Sequence, residues 1–320
     1  MALGNCDSDW RSAQSNIQLV ALCKQDFEHT QFYGPLVNGL RQIESAGIEI
    51  WPGKTVKGSL TFIAGDNLGS NGIGGFTENF STSEFFCRFC LIPRQLFGAN
   101  EQFRFAPRRT VNNYNEALAR LEEERNNGAG EKKDFQGVKF DYLFNTLESF
   151  HSVRGLPCCV AHDLEEGAFA FDGALAIKGL IHLKWFTLDE LNESITTQKY
   201  TSKDKRDKPV VFPKAFTKIP GSASQVRAFI RLFPLLLSGK ITDPTDEVWQ
   251  FLLLLREINL LCFTPVVRKS SLPYLEMQIL EYLDMRATLF KEIPLRPKHH
   301  FLQHHAELIS QFGPLPKVST

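Results

Sequence analysis

The chemistry in this chain starts with sulfur and imidazole. Cys87-Arg-Phe-Cys90 sets two thiols at the spacing that lets both reach one tetrahedral Zn2+. Such a pair needs two more donors, and the sequence offers two sources. One is Cys158-Cys159-Val-Ala-His162, where either thiol stands near the histidine. The other is the run Lys298 to His305, KHHFLQHH. There His299 and His304 lie five positions apart, as do His300 and His305, while His300 and His304 stand at i, i+4. The plainer readings are two small buried side chains for the cysteine pair and a solvated helix face for the histidines.

Carboxylates form a second set. Asp66 ends a predicted apolar strand and precedes a glycine-rich turn, NLGSNGIGGF. Functional side chains gather at such strand ends, and a carboxylate there suits Mg2+. The alternative is an Asx-turn or a cap. His162, Asp163, Glu165 and Glu166 follow Pro157 at a helix start, where acids complement the dipole. His162 and Glu166 share a helix face, as a metal or acid–base pair would, and as a capping cluster would too. GxSxG, GxGxxG and the P-loop pattern are absent, so no familiar serine hydrolase or nucleotide loop is legible.

Composition narrows the classes. The chain has 320 residues, with 36 Lys+Arg against 36 Asp+Glu. Zero net charge provides no global field for nucleic acid, so DNA contact would need a local patch. Arg104, Arg108 and Arg109, or Lys203, Lys205 and Arg206, are the available ones. The polar, acidic start MALGNCDSDW has no apolar signal core, and the most apolar stretch, 251–263, is interrupted by Arg256 and Glu257. No membrane partner is expected. Seven cysteines are too few for a disulfide scaffold, which favours a reducing, intracellular compartment.

The elements that would position these residues change character along the chain. Residues 17–23, IQLVALC, read as a buried strand, with further strands at 59–64 and 84–89. Pro35 opens an amphipathic helix that ends near Gly47. A charged helix over 113–125 runs into NNGAGEKK, a linker by composition. Helical periods then dominate, at 163–183, 187–195, 223–238, 244–262, 271–292 and 297–312, with Thr187 and Glu190 placed for a capping box. The fold class is α/β plus α.

Five segments in order resemble a known group: NIQLVALC, GDNLGSNGIGGFTENFSTSEFFCRFC, PCCVAHDLEEG, KWFTLDELN and PKHHFLQHHAELISQFGPL. Together they resemble animal transposon-derived proteins with a DDE transposase core of the RNase H-like fold, over about residues 10–315. The resemblance implies an incomplete RNase H-like α/β core with a large, mostly helical insertion. Residues 1–97 would be the partial core carrying the Cys-x2-Cys. Residues 98–295 would be the insertion, with a linker near 123–133, and 296–320 a His-rich helix returning to the core. It makes Asp66 the second catalytic carboxylate. The zinc arrangement of the V(D)J recombinase catalytic subunit and its transposon relatives would map onto Cys87, Cys90, His299 and His304, with Cys159 and His162 as alternative ligands. A nuclear location and partners such as DNA, a second copy or a transposase-related protein go with it.

The departures lie in the catalytic set. No aspartate matches the family's first carboxylate, since Asp7 and Asp9 sit in a turn-like segment. Glu307 lies too close to the histidines to serve as the third, and His304-His305-Ala306 stands where the family tends to read His-Tyr-Pro. The expectation is a transposase-derived protein that holds structural Zn2+ and is catalytically incomplete, with Mg2+ bound only if the site were whole. Two alternatives stand beside it. One is an active metal-dependent nuclease using Asp66 with Glu166 or Glu165, and the other a zinc-stabilised helical interaction protein.

Overall fold

A computed structural model describes residues 14–22, 28–97, 106–127 and 133–318, and the chain divides into two compact units. The first unit is residues 1–94 with 107–157. Its helix α1, His29–Ser45, runs through Pro35 rather than starting there, so one ladder bond is lost inside it. Gly47 ends it in the left-handed region at φ +80°. A Cβ there would meet Thr55 Cγ2 and the Val56 carbonyl oxygen at 2.7 Å, so the turn into the next strand needs glycine. Strands β1, Ile48–Trp51, and β2, Lys54–Val56, form an antiparallel hairpin in which Ile48 faces Val56. Helix α2, Asn67–Ile73, and helix α3, Val111–Asn126, follow. Thr110 and Asn113 close a capping box at the start of α3. The core joins Val37 of α1, Tyr114 and Ala117 of α3, and Val138, Tyr142, Phe144, Leu147, Phe150 and Leu156 from the irregular stretch that ends the unit.

The strands expected at 17–23, 59–64 and 84–89 are not strands. Residues 17–22 carry no regular element, and Leu19 and Leu22 are 81% and 86% exposed; Cys23 lies outside the described residues. Segment 59–64 carries no regular element, and its Ile63 N–H donates to the Gly155 carbonyl. Segment 84–89 is a string of bends that buries Phe86 and Cys87. Apolar runs report a need for burial, and here loops satisfy it without a neighbouring strand. The molecule is mostly helical with a two-stranded sheet, which agrees with α/β plus α at that coarse level. An RNase H-like sheet is not found among the described residues.

The second unit is residues 95–106 with 158–320 and is helical. A π-helical segment, Ala161–Ala168, leads directly into α4, Phe169–His182. Then come α5, Leu188–Thr197, α6, Ala223–Leu236, α7, Glu247–Cys262, α8, Leu272–Leu289, α9, Pro297–Leu302, and α10, His305–Phe312. Helix α7 packs on α4, α6 and α8, and α9 packs on the π-helical segment. Phe251, Leu252, Leu255 and Ile258 of α7 are fully buried, as its dense apolar spacing demands. The Thr187–Glu190 capping box is present at α5. No helix among the described residues is long and apolar enough to cross a membrane.

Candidate metal centre

The Cys87–Cys90 turn is built by hydrogen bonds around its own backbone. The Phe89 N–H points at Cys87 Sγ, at 3.3 Å. Cys90 bridges Arg108, and the Leu91 and Arg109 N–H groups donate to Pro107 and Phe89 carbonyls. Two buried guanidinium groups brace the turn. Arg88 donates to Asn67 Oδ1 at 2.9 Å and to the Pro157 carbonyl at 2.8 Å, and Arg109 donates to the Cys87 carbonyl at 3.0 Å and to Gln136. These contacts tie the turn to Asn67, Pro157 and Gln136. Arg109 is thus buried within the expected basic patch. Arg108 is exposed, and Arg104 lies outside the described residues.

Both thiols are 1% exposed. Contact with Cys87, followed by burial, pushes the Cys90 thiol far above its ordinary range. The protein alone thus resists a second thiolate here, and a bound cation is what reverses that preference.

His300 and His304 present Nε2 to Nε2 at 3.2 Å, with both rings 1% exposed. Cys87 with Cys90 in the first unit, and His300 with His304 in the second, are thus two buried pairs of soft and borderline metal donors. Tetrahedral zinc with Zn–S about 2.3 Å and Zn–N about 2.0–2.1 Å spaces its donors about 3.3–3.8 Å apart. The two ring nitrogens, 3.2 Å apart, are close to that spacing, and each pair supplies half of the donors that a structural zinc site takes.

His299, which the resemblance would use, is committed elsewhere. Its Nδ1 accepts the Arg296 N–H at 2.8 Å, and its Nε2 lies 2.9 Å from Asp172 Oδ2. Both ring nitrogens are occupied, so the ring that faces His304 is that of His300. The sequence carried the signal, because His300 and His304 stand one helical turn apart whereas His299 and His304 do not. Asp172 also accepts from Tyr282 at 2.5 Å and from Arg286 at 2.9 Å. Burial alone would raise its pKa, but His299, Arg286 and Tyr282 hold it below the usual carboxylate value.

The alternative ligands are also placed. Cys159 Sγ is 2.9 Å from His162 Nδ1, and His162 Nε2 is 3.6 Å from Glu166. Cys159 is fully buried, so this line of groups offers no thiol to a substrate. Glu165 lies 3.3 Å from Arg227, yet burial pushes its pKa up to about 7. His162, Glu165 and Glu166 sit on the π-helical segment, whose irregularity falls at Gly167. A Cβ there would meet the His162 carbonyl oxygen at 2.6 Å. The neighbouring Cys158 goes to a different group, with Asp163 and His305. Burial alone would lower the His305 pKa, but Cys158 and Asp163 raise it to about 10.

Asp66 is the N-cap of α2. Its Oδ1 accepts the Gly69 N–H at 2.6 Å, and the residue is exposed. It belongs to neither of the two metal-capable groups found among the described residues, and nor do Glu165 and Glu166. Asp7 and Asp9 lie outside those residues, and Glu307 is an exposed residue of α10. No family model matches the chain, and no curated protein matches it.

Proposed function

We propose that this chain is a zinc-stabilised module of transposase ancestry that binds DNA or protein and does not cut DNA. The observation that carries the proposal is a set of four buried donors, Cys87 with Cys90 in one unit and His300 with His304 in the other. Three of its members, Cys87, Cys90 and His304, are residues the resemblance to DDE transposases names as zinc ligands. The donor chemistry fits zinc, with two thiols supplying charge and two imidazoles completing a closed tetrahedron. Asp66 supports the non-catalytic half of the reading, because its carboxylate is engaged as a helix cap.

A second reading, an interaction protein with no nucleic-acid role, is favoured by one observation: Arg109 is buried, which thins the nearest basic patch. The two differ in salt dependence, since phosphate contacts weaken steeply as salt rises.

The test is zinc content of the purified chain. Cys87→Ser and His300→Ala each lower it relative to wild type, and His299→Gln leaves it unchanged. Loss of zinc in His299→Gln with retention in His300→Ala would overturn the ligand assignment. A plasmid-nicking assay with Mg2+ or Mn2+ decides the catalytic question. Asp66→Asn keeps an effective cap while removing the charge. The expected result is no nicking by either protein. Nicking by wild type that Asp66→Asn abolishes would establish the nuclease alternative instead.

A further inference from the structure

A second convergence of metal-ligating side chains uses none of the residues of the first. Cys158 stands just ahead of the π-helical segment, Asp163 lies in that segment's first turn, and His305 opens α10. We propose that these three side chains form a further site for a divalent cation of intermediate softness, for which zinc is the fitting ion.

Their ligand atoms all lie within 4.8 Å of one another, and the residues are 1%, 0% and 0% exposed. A catalytic Cys-His-Asp triad is excluded by that geometry. In a triad the imidazole stands between thiol and carboxylate and keeps them a ring's width plus two hydrogen bonds apart. Here sulfur and carboxylate oxygen lie within 4.8 Å of each other, too close for a ring to stand between them, so the three point at one place. The complete burial also leaves no path for a substrate.

The donor set selects the ion. One sulfur, one nitrogen and one oxygen do not suit Mg2+ or Ca2+, which take oxygen ligands, but do suit zinc. A thiolate, a carboxylate and a neutral imidazole around a dication sum to zero charge, which is what a sealed interior tolerates. The ring is also oriented from behind. His305 Nε2 lies 3.2 Å from Asp163 Oδ2, while Cys262 Sγ, at the last residue of α7, lies 4.0 Å from Nδ1. Metal-ligating histidines have the second nitrogen held by a polar partner, and here a thiol at the outer limit of a hydrogen bond stands in that place. Asp163 and His305 are 142 positions apart in the chain, so an ion here closes a long loop, where cross-linking removes the most chain entropy.

Zinc stoichiometry of the full chain, by plasma mass spectrometry, tests this. The expected content is about two ions per chain, one for each tetrahedral or near-tetrahedral donor group. Cys158→Ser and His305→Gln each remove one of them while leaving the ion that Cys87→Ser removes. A single ion lost in Cys87→Ser but kept in Cys158→Ser would overturn this inference and leave the proposed function standing. A single ion with the opposite pattern would do the reverse. Should either variant fail to fold, X-ray absorption at the zinc edge of wild type decides. Fewer sulfur neighbours per zinc than a two-thiolate site provides is the supporting result, and two sulfurs per zinc overturns it.

Discussion

His151 shows how a single ring ties stability to pH. It is partly buried against Tyr114, at 5.1 Å between ring centroids, and its Nδ1 accepts the Val153 N–H at 3.1 Å. Burial holds its pKa below the ordinary histidine value. The folded ring therefore binds its proton less readily than the unfolded one, and protonation also removes the acceptor that Val153 uses. The sign follows from linkage: stability is full above the unfolded pKa of about 6.5 and falls as pH drops below it. Urea unfolding at pH 7.5 and 5.5 checks this. His151→Gln is expected to shrink the difference between the two values, and an unchanged difference would remove His151 as a cause. The same residue-level reasoning explains why His300, rather than its neighbour, is the donor the proposed function uses: a ring whose two nitrogens already have partners has nothing left for an ion.

At the scale of elements, α4, α8 and the start of α9 share one buried polar knot. Asp172 of α4 meets Tyr282 and Arg286 of α8 and His299 of α9. Arg286 turns further donors to the Phe290 and Ile293 carbonyls, and so fixes how α8 ends. Asp172→Ala strands a guanidinium that is 2% exposed, and the expected loss in unfolding free energy is about 3–5 kcal/mol. Chemical denaturation of that variant beside Arg286→Met measures it. The larger loss belongs to Asp172→Ala, because removing the cation leaves a protonatable acid and removing the acid leaves a fixed charge. Helices such as α6, α7 and α8 were readable from the chain because their apolar spacing, capping residues and length are local properties. The residues expected at 223–238, 244–262 and 271–292 became Ala223–Leu236, Glu247–Cys262 and Leu272–Leu289. The strands were not readable, since a strand is defined by its partner and IQLVALC carries no information about one. The π-helical register at Gly167 was hidden for a related reason. It depends on a glycine allowing backbone contact with His162, and on α9 packing alongside.

At the scale of the whole molecule, the balance of 36 basic and 36 acidic residues leaves no long-range field to organise binding, so specific ions carry more of the electrostatic argument. A metal that binds the folded chain and not the unfolded one stabilises it by mass action, and the dependence on free metal counts the ions released on unfolding. Each site adds about 1.4 kcal/mol per tenfold rise in free zinc once the site is mostly occupied. Unfolding measured across a series of zinc-buffered solutions, with slopes summed over every transition observed, is therefore expected to give about 2.8 kcal/mol per decade for two sites. Cys87→Ser and Cys158→Ser should each halve that slope. A slope for one site in wild type, abolished by only one of the two variants, would identify which donor group holds the ion. A flat response would mean that both groups are ordinary buried side chains, with the imidazoles and thiols bonded only to each other.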